Sequence, residues 1–344
     1  MASVGTASSR TYSGLATTLF VALPFLLFLL SFLLGRYPVA PLTVLKVIAG
    51  QFLPIVPDWS PTVEAVVLNV RLPRVIAAMA VGGGLAIAGA SYQGVFRNPL
   101  VSPFTLGVSA GAGFGAAVAI LLFNQRYAIQ LCAFGGGLTA VALCFAMSRF
   151  YRVSSTVVLV LGGVIVGSLF TALLSLLKYV ADPNSKLPVI EFWLLGSLSS
   201  VSMADMIPVL LVSLPAAAVL LLLRWRLNVL AMGDEQARIM GVEAGRLRFV
   251  FILFSTLIAA SAVSISGIIG WVGLVIPHFA RIVVGPDFRR LLPATLSLGA
   301  CYLLIIDDIA RTVTAAEVPL GVLTALVGAP VFILLLGRGG LGWA

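Results

Sequence analysis

The sequence predicts an all-α polytopic membrane protein with about ten transmembrane helices. Two observations carry that expectation. Of the 344 residues, 60% are hydrophobic and only 10% charged, with a mean hydropathy of +1.14, whereas an average soluble domain carries about 25% charged residues. The few charges also fall in short gaps between long apolar runs rather than on one polar surface.

A bilayer core of about 30 Å needs about 20 apolar residues per helix. Spans are therefore expected at 15–34, 73–93, 104–123, 128–148, 156–177, 206–223, 247–266, 268–284, 291–306 and 320–337. The first is longer than the roughly 7–15-residue apolar region of a secretory signal, so it reads as a retained span. The span at 268–284 is short and Gly-rich, and only Ser264 to Gly267 separates it from its predecessor. The chain divides into an inner tail at 1–14, one transmembrane domain at 15–337 with an inner segment at 227–246, and an inner tail at 338–344.

Counting positive charges on alternate sides sets the orientation. With the N-terminus inside, the inner segments hold 13 of the 21 Lys and Arg and only four of the 12 acids, so they carry the whole net charge of +9. Both termini are then cytoplasmic. The excess positive charge faces an anionic inner leaflet, and a nucleic-acid partner is unnecessary.

Catalytic machinery is not visible. The sequence has no Walker A motif and no Gly-Lys dipeptide, so no phosphate-cradling loop of its own. One histidine, His278, argues against His-rich metal sites and acid/base relays. Cys132, Cys144 and Cys301 are odd in number, widely spaced and inside apolar runs, which suits buried thiols. The run Gly111-Ala-Gly-Phe-Gly115 resembles a dinucleotide loop but lies inside a span with no strand before it. Close helix packing is the better reading, as for Gly82, Gly83, Gly84, Gly89, Gly162, Gly163 and Gly167. No resident cofactor or metal is expected.

The longest well-patterned inner segment runs from Leu227 to Val242. Asp234 suits an N-cap after Gly233, Glu235 favours a first turn, and Gly241 is placed to end a short helix at C′. The segment holds two acids and one Arg, a poor composition for resting on anionic lipid, so a protein partner is favoured.

Several segments together resemble one family. These are Arg71-Leu-Pro-Arg74 before a Gly-rich span, Gln93-Gly-Val-Phe-Arg-Asn98-Pro99-Leu100, Gly107-Val-Ser-Ala-Gly111, Phe192-Trp-Leu-Leu-Gly196, Gly233-Asp-Glu-Gln-Ala-Arg-Ile-Met-Gly241, Gly270 to Arg281 with Pro277-His278, Asp308-Ile-Ala-Arg311, Glu317-Val-Pro-Leu-Gly321 and Gly328-Ala-Pro330. In that order, over about residues 65–337, they are similar to FecCD-like permease subunits of type II ABC importers, which take up iron siderophores, haem and cobalamin.

The resemblance implies a ten-helix fold and a homodimer with the pathway on its twofold axis. It also implies two cytoplasmic ATPase subunits that supply ATP and Mg chemistry, an extracytoplasmic solute-binding protein, and a bacterial or archaeal cytoplasmic membrane. Spans 2–5 and 7–10 would be inverted repeats, of which Arg71-x-x-Arg74 against Arg246-x-Arg248 is the only trace. Gly233, Asp234, Glu235, Ala237, Arg238 and Gly241 would couple to the ATPase. Asn98, Pro99, Leu100, Ser155 and Thr156 would form an inner gate, although Ser155 and Thr156 also suit an ordinary helix start.

Arg71 and Arg74 share a helix face just outside span 2, and Arg311 ends span 9. Arginines there ordinarily snorkel or pair with Asp307, Asp308 or Glu64. The resemblance instead makes Arg71, Arg74 and Arg311 docking residues for acids of the solute-binding protein, so charge reversal is expected to weaken docking and leave the rest intact. The chain departs from the family pattern in its Asp307-Asp308 doublet and in Trp271, where Phe is common. A secondary transporter is the alternative, but Glu64, Asp205, Asp307, Asp308 and Glu317 all fall at outer span ends rather than span centres. A ferric siderophore is the favoured cargo, with haem, cobalamin and oxyanions such as molybdate behind it.

Overall fold

The computed structural model describes residues 14–35, 37–150, 156–314 and 316–337. Residues 1–13 of the tail expected at 1–14, the tail expected at 338–344 and the gate residue Ser155 lie outside them. Among the described residues every expected span meets a helix: α1 (Gly14–Ser31), α4 (Leu72–Phe96), α5 (Val108–Leu122), α6 (Arg126–Phe150), α7 (Thr156–Val180), α9 (Met203–Met232), α11 (Ala244–Ser266), α12 (Val272–Val284), α13 (Phe288–Thr312) and α14 (Leu320–Gly337). Six of the helical stretches are long and apolar enough to cross a bilayer alone, while α1, α5, α12 and α14 offer shorter apolar segments. The short helices α2 (Pro41–Ala49), α3 (Pro61–Ala65), α8 (Lys186–Leu195) and α10 (Asp234–Ile239) join them.

Ser60 caps α3 by accepting the Val63 N–H at 3.3 Å, and Pro61 opens it. The helix continues through a π turn, Val66–Arg71, into α4. Pro73 has no N–H to offer the Asn69 carbonyl, and Leu72 N–H reaches back five residues to Val67. Helix α4 is buried almost all round, against α9, α11, α12 and α13, which makes it the axle of the bundle.

Small residues allow that burial. A Cβ on Gly82 would stand 2.3 Å from the Gly299 carbonyl oxygen of α13, and one on Gly89 would stand 1.9 Å from the Gly273 oxygen of α12. Gly111 meets Gly136 of α6 in the same way, with 2.3 Å for its added Cβ, so the Gly111–Gly115 run is a packing face. Even Gly89→Ala is expected to destabilise the bundle by about 1–3 kcal/mol through overpacking against backbone. Gly135→Ala, whose Cβ would meet nothing within 4 Å, should leave the thermal midpoint in detergent unchanged.

Two expected spans differ from continuous helices. The span expected from 104 opens with a 3₁₀ turn, Pro103–Leu106, and α5 begins only after Gly107 at φ +79°. Gly107 lies beside Gly167, about 16 Å of rise into α7, so α5 starts well inside the bundle. The span expected from 268 is helical only from Val272, after Gly267 at φ +68° and Trp271 at φ +67°. Thirteen residues in α12 rise about 20 Å, short of the hydrocarbon core.

Non-helical backbone at this depth survives because protein surrounds it. Ser197 N–H donates to the Ser266 carbonyl at 2.8 Å, and an added Cβ on Gly321 would stand 2.5 Å from the Leu195 oxygen and 2.7 Å from that of Ile268. In α4–α7 and again in α11–α14 the second helix is the short one, approached through a positive-φ residue. That correspondence is a second feature the two halves share, beside the arginine pairs.

Candidate functional site

At one end of the bundle α9 runs out into α10. Gly233, at φ +120° and ψ 161°, sits at the N-cap, and Asp234 is the first helical residue rather than the cap expected for it. Only glycine adopts that backbone readily, and the Asp234 carboxylate is drawn instead to Arg248 of α11, 2.6 Å away. Gly241, at φ +73°, stops the helix as expected. Its N–H reaches the Arg238 carbonyl at 3.0 Å while Val242 N–H reaches that of Ala237 at 2.8 Å, a Schellman stop.

The faces of α10 divide sharply. Ala237 is fully buried against the chain, whereas Glu235 and Arg238 are exposed. Ile239 and Met240, not singled out in the sequence, are 81% and 57% exposed. Beside them a groove of about 550 Å³ opens among Trp225, Asn228, Met240, Arg281 and Arg289. The short helix, tied to α11 and stopped at Gly241, thus presents apolar side chains beside a groove.

At the other end the three arginines converge, but inward. Arg71, Arg74 and Arg311 are 3%, 6% and 6% exposed. Arg74 forks onto fully buried Asp307, with Nε–Oδ2 and Nη2–Oδ1 both 2.9 Å, and reaches Glu317 Oε1 at 2.9 Å. Arg311 bonds Asp308 and donates to the Ser31 carbonyl at 2.7 Å. Ser31 Oγ donates to the same Asp308 carboxylate at 2.6 Å. Arg71 donates to the carbonyls of Phe32 and Tyr37.

Arg71 and Arg311 thus satisfy the orphan carbonyls at the C-terminal end of α1, and three acids balance three guanidinium groups. The Asp307-Asp308 doublet gives each of two arginines its own carboxylate. Glu64 belongs elsewhere, accepting from Trp59 Nε1 at 3.2 Å. A cavity of about 210 Å³ borders the cluster, lined by Tyr37, Val70, the three arginines and Glu317. Glu317, 32% exposed, is the member of the cluster that solvent reaches most.

Of the gate residues, Asn98, Pro99 and Leu100 form the turn after α4. Asn98 Oδ1 accepts the Leu100 N–H at 2.9 Å, and Asn98 and Leu100 are exposed. Thr156 begins α7, as a helix start would. A feature not singled out in the sequence lies further along α7, where Ser168, Thr171, Ser175 and Tyr179 recur every three to four residues on an exposed face. Thr171 and Ser175 each donate to the carbonyl four residues back, at 2.8 and 2.9 Å, which lets hydroxyls sit on a spanning helix. Their spacing was the available signal.

Similarity to known proteins assigns this bundle of spanning and half-length helices to the transport permeases of the ABC class. The sequence pattern of the FecCD transport family matches residues 22–338, and the chain belongs to that family. It is 42% identical to the molybdate import system permease protein MolB of Haemophilus influenzae, covering 83% of this chain and 85% of that protein. It is 41% identical to a probable iron chelatin transport system permease protein of Helicobacter pylori strain 26695, over 80% of this chain and 84% of that one. Among solved structures, an inward-facing conformation described as a metal-chelate type ABC transporter superposes with a TM-score of 0.84 at 38% identity, covering 93% of this chain and 98% of the other.

Proposed function

We propose that the chain is the permease subunit of an ATP-driven importer, working as a homodimer with two ABC ATPase subunits at the α10 end and a solute-binding protein at the arginine end. On this reading the α10 end and both termini face the cytoplasm of a bacterium or archaeon, and ATP and Mg are handled by the ATPase. The observation that carries it is α10 itself, fixed to α11 through Asp234–Arg248, stopped at Gly241, and presenting Glu235, Arg238, Ile239 and Met240 outward. A rigid lever of this kind can pass closure of the ATPase pair to the bundle. Co-purification with the ATPase, and stimulation of its ATP hydrolysis by cargo-loaded binding protein, are the expected results; an ATPase that ignores the permease would oppose them.

The hydroxyl face of α7 suits the water-filled pathway of such a dimer, with the Asn98–Leu100 turn and the Ser155–Thr156 region at its inner mouth. The favoured cargo is a ferric siderophore, with haem and cobalamin behind it. The MolB relative favours molybdate as a second reading.

Docking at the arginine end requires one change from the sequence expectation, because the guanidinium groups are already engaged. A carboxylate of the binding protein can displace Glu317, the accessible partner of Arg74, and leave the Arg74–Asp307 fork in place. Displacement frees the short segment that leads into α14. Glu317→Gln is therefore expected to tighten docking about two- to fivefold, the worth of one partly exposed ion pair, with weaker salt dependence of the remaining competition. Unchanged or weaker docking by surface plasmon resonance would leave all three arginines as anchors of α1, α4 and α13.

A further inference from the structure

Away from the arginine cluster, at the end where α6 and α9 both begin, the bundle carries two adjoining cavities. Helices α6 and α9 both lie on α11. An apolar groove of about 390 Å³ runs between them, walled by Tyr127, Leu131 and Phe134 of α6 and by Pro208, Val209 and Val212 of α9. A polar hollow of about 420 Å³ adjoins it and shares Gln130 and Ser264, with Asn124, Arg126, Ser197 and Ser199 on its walls.

The two are joined by a bridge of side chains. Arg126 Nη1 lies 2.8 Å from Asp205 Oδ2, and Gln130 Nε2 donates to Asp205 Oδ1 at 3.0 Å. Asp205 is buried and also receives the Ser202 N–H at 2.8 Å and its hydroxyl at 2.7 Å. Its lone pairs are therefore committed, whereas half of the Arg126 side chain is exposed and a guanidinium carries five N–H donors.

We propose that these cavities bind one diacyl glycerophospholipid, its acyl chain in the groove and its phosphodiester on Arg126. A spanning bundle gains nothing hydrophobic by closing such a groove, since lipid tails are as apolar as leucine. An empty groove forfeits dispersion contacts, so a tail occupies it. Tyr127 to Phe134 covers about 10 Å of helix rise, the outer third of a core of about 30 Å, which puts Arg126 at headgroup level.

The exposed Tyr127 ring is of the kind enriched at that level. Guanidinium meets phosphate oxygens through charge-assisted bonds, often two at once. Because Arg126 and Asp205 are neutral together, the phosphate rather than net lipid charge is the recognised feature, and zwitterionic and anionic phospholipids bind alike. The lipid braces the first turns of α9, whose far end leads into α10.

The test is native mass spectrometry of the full-length protein extracted from liposomes that contain phosphatidylethanolamine or, in parallel, diacylglycerol with the same chains. One retained phospholipid per chain, and no retained diacylglycerol, is expected. Val212→Trp, which fills the groove, and Arg126→Gln, which removes the guanidinium, should each lower retention about tenfold. Because Arg126→Gln also removes the cationic partner of the buried Asp205, Val212→Trp with a wild-type gel-filtration profile decides the matter. Undiminished retention in that variant, or diacylglycerol held as well as phospholipid, overturns the proposal.

Discussion

Arg74→Glu is expected to unfold the arginine end of the bundle, not merely to weaken docking. Removing one partner of a buried, hydrogen-bonded ion pair costs about 3–5 kcal/mol, and the new carboxylate would also stand beside Asp307 and Glu317, the two groups that Arg74 now holds. The lowered thermal midpoint in detergent should be shared by Asp307→Asn, whose loss leaves the guanidinium buried. An apolar replacement of both, Arg74→Met with Asp307→Leu, should recover most of the stability, since such exchanges are often neutral. Arg74→Glu with an unchanged midpoint would mean that the fork contributes nothing.

Ala237→Trp is expected to abolish coupling while the ten spans stay folded. Ala237 is the residue by which the six-residue α10 lies flat on the bundle, so an indole there must lift the helix. The local overpacking is worth about 1–3 kcal/mol, more than so short a helix can resist. Cargo-stimulated ATP hydrolysis and uptake should fall by at least about tenfold, with an unchanged thermal midpoint. Glu235→Ala on the outward face should lose less. Normal stimulated hydrolysis in Ala237→Trp would show that the position of α10 is not what transmits closure.

What could be read from the sequence divides along physical lines. The spans were legible because hydrocarbon demands long apolar runs, and the end of α10 because glycine at Gly241 is local backbone chemistry; its start falls one residue earlier than expected, with Gly233 rather than Asp234 as the cap. The surroundings of Arg74 were legible in part: Asp307 and Asp308 were among the expected partners of the arginines and do pair with Arg74 and Arg311, whereas Glu317 was not among them and Glu64 binds elsewhere. An i, i+3 spacing told correctly that Arg71 and Arg74 share a face, but not that the face turns inward.

The span at 268–284 was legible as short and Gly-rich, but the positions where the two half-helices break were hidden for another reason. Hydropathy is continuous through Gly107 and Trp271, and a break in φ leaves no mark on it; at Trp271 even the residue type gives no warning. Helix α8, with ten residues, is shorter than the window used to find spans. The Asp307-Asp308 doublet was visible as a departure, and its meaning, one acid for each of two arginines, needed the geometry.

ATP-driven import is read most directly from uptake into proteoliposomes assembled from this chain, its ATPase and its solute-binding protein. Radiolabelled ferric siderophore and radiolabelled molybdate are supplied in turn, with ATP inside or with a proton or sodium gradient alone. Uptake of one of these cargoes is expected, requiring ATP and the binding protein and indifferent to the gradient. Uptake driven by the gradient without ATP would contradict that expectation.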